Sequence, residues 1–439
     1  MKQKNAHIMW KCCAALSVLL WLSAPYCRAQ FSKPKRAYVE WIVKSDAPTR
    51  TYRVNQSAII RMDAQLAGLP IDGVTLHYQT GTDGYADGKK ESGEVIFVNG
   101  TATLPPFTLT TPGFRTYELQ FSVGGKTYKE QTTIGFSPDS IQSFTPQPKD
   151  FDRFWKRQVE RVSQIDMQPT LTPLPQYSTD KVSVYLLKLQ VGTEGRHFYG
   201  YLSMPRDGKK HPVLFCPPGA GSKKISPTTY YSERGYIYLN INIHNGCNPE
   251  LADSLYKQHS DAVTDYNRRG IESKETFYYR EVYAGCVRCI DYLCSLPEWD
   301  GKNVGVTGGS QGGALSIVTA ALSSKVTFCV PFYPALSDVL GFCHQRCGGW
   351  PQYYQKQKEA EGTMTTLPYY DVVNFARRIT CPVYFSLGYN DKTTSPTSTY
   401  AAYNAISAPK TLNATPTSGH WRFAETNEEA MQWMQQQWR

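Results

Sequence analysis

An α/β fold with a mostly parallel sheet, preceded by a smaller all-β domain, is predicted by three observations in the sequence. From residue 183 onward, strand-like apolar runs alternate with helical ones, the order of elements that builds a parallel sheet covered by helices. Before residue 138 the pattern consists of short alternating runs separated by Gly, Pro, Asp and Asn, with no long helical period. Between the two, Pro138, Pro146 and Pro148 interrupt any regular pattern.

Residues 1–29 read as an export signal. Lys2, Lys4 and Lys11 supply a positive start, 12–24 an apolar run, and Cys27-Arg28-Ala29 a cleavage site before Gln30. The run is too short to span a bilayer, and no later segment is apolar enough to do so. Cleavage removes four basic side chains (Lys2, Lys4, Lys11, Arg28) and no acid, lowering the formal net charge from +10 to +6. The remaining charge is scattered, which argues against nucleic acid as a partner. The mature protein is expected to be secreted or periplasmic.

Residues 30–138 carry alternating runs at 38–43, 58–62, 74–78, 94–98, 117–123 and 127–134. About seven short strands in that length predict an immunoglobulin-like β-sandwich, as a polysaccharide-binding module or as a spacer, with Trp41 in its core. Residues 139–150 form the linker and 151–439 the α/β domain. Its strands are expected at 183–190, 197–204, 212–216, 236–243, 304–306, 328–332, 383–387 and 411–414, eight in all. The aperiodic stretch 244–274 is too long for a connector and reads as a loop over a site. Residues 334–378 read as a helical cap in which Trp350, Tyr353 and Tyr354 face a sugar or pack the cap onto the core.

Chemistry concentrates at Gly308-Gly309-Ser310-Gln311-Gly312, between the strand at 304–306 and the small, helical residues Ala314, Leu315, Ile317, Val318, Ala320 and Ala321. Strand, glycine-flanked corner and helix make a nucleophile elbow, which predicts an α/β-hydrolase with Ser310 as nucleophile. A serine hydroxyl needs an imidazole to take its proton and a carboxylate to orient that imidazole. In the order this fold requires, Asp391 follows the strand at 383–387 and His420 follows the strand at 411–414. Asp338, after the strand at 328–332, is the runner-up acid. His244, at the end of 236–243, is better placed as a substrate contact.

The segments Thr276-Phe277-Tyr278-Tyr279-Arg280, Val304 to Gly313 and Gly388-Tyr389-Asn390-Asp391-Lys392, with the opening Pro148 to Trp155, resemble the acetyl xylan esterase and cephalosporin-C deacetylase family over about residues 148–439. The resemblance implies a hydrolase that removes small acyl groups, mainly acetyl, from acetylated oligo- or polysaccharide without metal or cofactor, and an assembly of several copies. Three departures stand out. His244-Asn245-Gly246 occupies the family's Arg-Gly-Gln position, Trp421 follows the histidine where the family has Glu, and Pro218-Gly219-Ala220 replaces His-Gly-Tyr. Trp421 therefore joins His244, Trp350 and Tyr353 as a candidate substrate contact. Backbone N–H groups form the oxyanion hole of this fold, which points to Gln311 and to Ala220 in the loop after the strand at 212–216.

Of the twelve cysteines, Cys12, Cys13 and Cys27 leave with the signal, so nine remain and cannot all pair. Cys286 and Cys289 share a helical face with Val282, Ile290 and Leu293 and read as core. Cys343, His344 and Cys347 make a weak metal pattern with no further ligands nearby, so no metal is expected. Two other functions fit the same residues: a serine peptidase or an esterase for a different acyl or aryl ester, and a carbohydrate-binding protein without catalysis.

Overall fold

The computed structural model describes residues 37–193 and 195–438. The expected export signal lies outside the described residues. The N-terminal part contains β1 (Val39–Ser45), β2 (Thr51–Tyr52), β3 (Ile60–Leu66), β4 (Leu69–Pro70), β5 (Thr75–Thr82), β6 (Glu91–Ile96), β7 (Thr101–Thr103), β8 (Gly113–Val123) and β9 (Lys126–Phe136). One sheet joins β1, β3, β4 and β7; the other runs β2-β9-β8-β5-β6. Alternation explains why the two sheets meet. Val39, Val43, Ile60, Met62 and Ala64 of the first sheet and Leu76, Leu119, Phe121, Ile134 and Phe136 of the second point into one apolar core. Among the described residues these are nine strands rather than about seven, because β2 and β4 have two residues each and carry no alternation to read. Trp41 lies partly buried at the core margin, its Nε1 donating to Glu130 Oε2 at 3.1 Å.

The second part is built on β10 (Thr170–Pro173), β11 (Val182–Gln190), β12 (His197–Pro205), β13 (His211–Cys216), β14 (Ile237–Asn242), β15 (Trp299–Gly309), β16 (Phe328–Phe332), β17 (Val383–Gly388) and β18 (Lys410–Thr415). The order is β10-β11-β12-β14-β13-β15-β16-β17-β18, nine strands in place of the eight expected. The extra one, β10, is an exposed edge whose Thr-Leu-Thr-Pro has no buried face to betray it. Pairing is antiparallel from β10 to β14 and parallel from β14 to β18. The central strands β13, β16 and β17 are apolar and almost wholly buried, since the helices Tyr279–Leu293 and Gln311–Leu322 cover one face and Ala424–Gln436 packs on the other.

Two loop expectations change. The stretch 244–274 contains the helix Asp253–Asp261. The expected helical cap at 334–378 is mostly irregular, with helix only at Thr363–Thr366 and Val372–Ala376 besides short 3₁₀ turns. Aspartates explain this, because their side chains bind backbone amides that a helix would otherwise use. Asp371 accepts from the N–H groups of Asp338, Val339 and Val373, and Asp338 accepts from those of Phe144 and Thr145 in the linker. Asp338 also pairs with Arg346.

The N-terminal sheets dock beside β17 and the helix Pro396–Ala405. Phe114 is buried against Tyr389 and Tyr400, and Asp83 accepts from Thr397 N at 3.1 Å and Thr397 Oγ1 at 2.9 Å. Burial pushes the Asp83 carboxyl up from 3.8 to about 6, against the two Thr397 bonds, which favour its ionised form. An acid whose pKa rises on folding stabilises most at low pH and loses that contribution as pH climbs through the folded value. Relative to Asp83→Asn, the wild type is expected to lose about 2 kcal/mol between pH 4 and pH 7. Parallel urea-unfolding stabilities of the two proteins across that range would refute the assignment.

Candidate active site

Ser310 stands between β15 and the helix Gln311–Leu322 with φ 59° and ψ −123°, a backbone region that is costly for any side chain but glycine's. The turn closes only because its neighbours lack Cβ atoms. A Cβ on Gly308 would lie 2.6 Å from the backbone of Gly312, and one on Gly312 would lie 2.5 Å from Pro217 O. The serine is bonded into the sheet edge, its N–H donating to Phe332 O at 3.0 Å.

Asp391 and His420 meet this serine from the loops after β17 and β18. His420 Nε2 lies 2.9 Å from Ser310 Oγ, and His420 Nδ1 lies 2.8 Å from Asp391 Oδ2. A carboxylate accepts only, so Nδ1 carries the proton and Nε2 is left as the acceptor facing the serine. Asp391 is buried and held on both oxygens: Oδ1 accepts from the N–H groups of Thr393 (2.8 Å) and Thr394 (2.9 Å), Oδ2 from Thr394 Oγ1 (2.9 Å). Asp338, the runner-up acid, holds the linker and Arg346 instead and makes no contact with His420.

The loop after β13 is anchored from beneath by Gln311 and His244 and by Tyr266, Tyr278 and Tyr279, three phenols to which sequence reading gave no role in the site. Gln311 is fully buried; its Oε1 accepts from Tyr266 Oη (2.7 Å) and Tyr279 Oη (2.6 Å), and its Nε2 donates to Gly219 O (3.1 Å) and, more distantly, Pro218 O (3.4 Å). Gly221 N–H donates to Tyr266 Oη at 3.1 Å. His244 is buried too, with Nδ1 2.9 Å from Tyr278 Oη and Nε2 3.3 Å from Gly221 O. Ala220 therefore sits between two anchored neighbours on an exposed loop tip facing the elbow. Burial lowers the His244 imidazole to about 4, so it is neutral, and burial raises the phenols of Tyr266, Tyr278 and Tyr279, which keep their protons for donation.

These positions correct two expected substrate contacts. His244 has no exposed surface and positions the loop from inside. Tyr353 is likewise buried, its hydroxyl donating to Asn267 O at 2.5 Å, so it presents no face to a sugar. Trp350 is partly buried and packs on the core. Trp421 remains open, 48% exposed beside His420, with Phe423 (41% exposed) edge-on at 4.7 Å. Tyr333, another residue missed, packs its ring 4.8 Å from the His420 imidazole, and its hydroxyl accepts from Arg422 Nη1 at 2.9 Å. Its signal, a tyrosine one residue past a buried strand, was too ordinary to single out.

All nine cysteines among the described residues are free thiols. Cys286 and Cys289 are buried in the core, while Cys343 is exposed and lies 3.7 Å from Met364 Sδ. Among the described residues, no group of three His, Cys, Asp or Glu side chains is placed to hold a metal, and no helix is long and apolar enough to cross a membrane.

The acetyl xylan esterase family model matches residues 139–437. The acetyl esterase Axe7A of Xylanibacter ruminicola is 41% identical over 412 residues, covering 92% of each chain. Among solved structures, acetyl xylan esterase 1 from Thermoanaerobacterium sp. JW/SL YS485 matches with a TM-score of 0.59 at 23% identity, over 69% of this chain and 98% of its own. The acetyl xylan esterase from Paenibacillus sp. R4 gives 0.59 at 22%, over 68% and 98%. The two structures share the α/β fold, and the family model and the relative from Xylanibacter together carry the assignment: the chain belongs to the acetyl xylan esterase family.

Proposed function

We propose that this chain is an exported serine esterase that removes acetyl groups from acetylated oligo- or polysaccharide through an acyl-enzyme. The observation that carries the reading is the continuous hydrogen-bond chain from Ser310 Oγ through His420 to Asp391. His420 Nε2 takes the hydroxyl proton as Ser310 Oγ bonds to the acetyl carbonyl carbon. Charge then develops on the carbonyl oxygen and on the imidazolium. The N–H groups of Gln311 and Ala220 meet the first; the Asp391 carboxylate stabilises the second. The sugar oxygen leaves with the proton from His420, and water, deprotonated by the same imidazole, releases acetate from Ser310.

The serine proton leaves with the sugar oxygen and the proton taken from water returns through His420 to Ser310, so these steps draw on no cofactor. Trp421 and Phe423 offer an exposed aromatic face beside His420 on which a pyranose ring can stack. We assign residues 30–138 to an immunoglobulin-like domain and 1–29 to a cleaved signal, and place the mature protein outside the cytoplasm. Release of acetate from acetylated xylo-oligosaccharides, set against hydrolysis of aminoacyl-p-nitroanilides, tests the function. The esterase reading expects turnover of the first and none above background of the second; the reverse order would replace it with a peptidase.

A further inference from the structure

The N-terminal sheets touch the catalytic domain at the loops that carry Asp391 and His420. Gln131 Nε2 on β9 donates to Asn390 O at 3.3 Å, one residue before the acid. Thr51 Oγ1 on β2 lies 3.0 Å from Tyr389 Oη, and Phe114 on β8 packs its ring 5.0 Å from the Tyr389 ring. Lys392, one residue after the acid, pairs with Glu118 Oε1 at 2.7 Å. Asp83 receives both donors of Thr397 where the helix following Asp391 begins. The histidine loop is reached as well, by Arg50 Nη1 donating to Pro416 O at 3.3 Å. The two loops are tied to one another by Asn390 N–H donating to Ser418 O at 3.0 Å and Tyr389 N–H to Thr415 O at 3.1 Å.

All of these N-terminal residues precede position 139, where the family model begins, and the solved esterases match at 98% of their own length while covering about 69% of this chain. The contacts are thus additions to the hydrolase core. They cluster on residues 389–404 and 416, although the sheets have other faces available. Loops at a sheet end are the least constrained part of such a fold, and a displacement of about 1 Å in a catalytic group can cost 10²-fold in rate.

We propose that the N-terminal β-domain is a positioning element for catalysis, with Gln131, Asp83 and Phe114 holding the Asp391 loop, and through it His420, in register with Ser310. The proposal rests on the Ser310–His420–Asp391 reading of the site. Its residues act through Asp391 and touch no substrate.

The test uses full-length Gln131→Ala, Asp83→Ala and the double variant, with Glu94→Ala, on the far edge of the same sheet, as control. Turnover of p-nitrophenyl acetate is followed together with the downfield proton resonance of the His420 Nδ1–H bonded to Asp391. The double variant is expected to lose about tenfold in kcat with KM unchanged within about twofold, and to broaden that resonance, while Glu94→Ala matches the wild type. Should the double variant fail to fold, Gln131→Ala, at the polar rim of the contact, carries the test with a loss of about threefold. Unchanged kcat and an unchanged resonance alongside a lowered Tm would make the domain a stabiliser only and overturn the proposal. Ser310→Ala in parallel separates the two failures: if it turns over normally the triad falls and the brace with it, whereas an inactive Ser310→Ala beside unaffected brace variants removes the brace alone.

Discussion

Ser310→Ala is expected to lower kcat for acetyl esters by about 10⁴-fold or more without loss of the fold. In the proposed mechanism this hydroxyl bonds to the acyl carbon, and no other serine lies within hydrogen-bond reach of His420 Nε2 among the described residues. The same position tests the strain at the elbow. With φ at 59° and ψ at −123°, Ser310 pays a backbone penalty of about 1–3 kcal/mol. Ser310→Gly is therefore expected to be as inactive as Ser310→Ala but more resistant to urea. Equal stability of the two variants would mean that the corner stores no strain.

The second large effect is expected at Gln311, whose backbone and side chain do different things. The N–H is proposed to meet the oxyanion; the amide side chain fastens the opposite donor loop. Gln311→Ala leaves the buried hydroxyls of Tyr266 and Tyr279 without this acceptor and takes the Nε2 donor away from the carbonyl of exposed Gly219. At about 1–3 kcal/mol for each of the two buried hydroxyls, a loss of at least about 2 kcal/mol in stability is expected. The Gly219–Gly221 loop is also freed, so kcat should fall by about 10²-fold even at temperatures where the variant is folded. Gln311→Glu discriminates the two halves of the clamp. A carboxylate still accepts from both tyrosines but cannot donate to Gly219 O, so stability should recover in part while kcat stays low. Recovery of kcat together with stability would show that the loop needs no fastening from this side chain.

The proposed chemistry was legible in the sequence where short motifs and chain order carry it. Ser310 is announced by glycines that leave no room for Cβ atoms, and Asp391 and His420 by their places after β17 and β18 in the order this fold uses. The supporting network was not, because its members are neighbours only in space: Tyr266 and Tyr279 lie 45 and 32 positions from Gln311, and no period or spacing links them. The run Phe277-Tyr278-Tyr279 and the nearby Tyr266 were the available signal, an unusual density of aromatic rings about the start of the helix Tyr279–Leu293. His244 illustrates the converse. Its place at the end of β14 was readable, yet its inward orientation depends on Tyr278 and on the loop of Gly221 above it. The β-domain's docking on residues 389–404 was equally invisible, since it depends on single side chains such as Gln131 and Asp83 that alternate outward from strands or sit in turns.

Ser310 is expected to become covalently acylated during turnover. Labelling the full-length protein with an alkyl fluorophosphonate, followed by proteolysis and peptide mass mapping, measures this directly. One adduct per chain on the peptide containing Ser310, absent in Ser310→Ala and slowed in His420→Ala, is the predicted result. An enzyme that hydrolyses acetyl esters at full rate after the reagent has left Ser310 unmodified, or has modified a different residue, would contradict it.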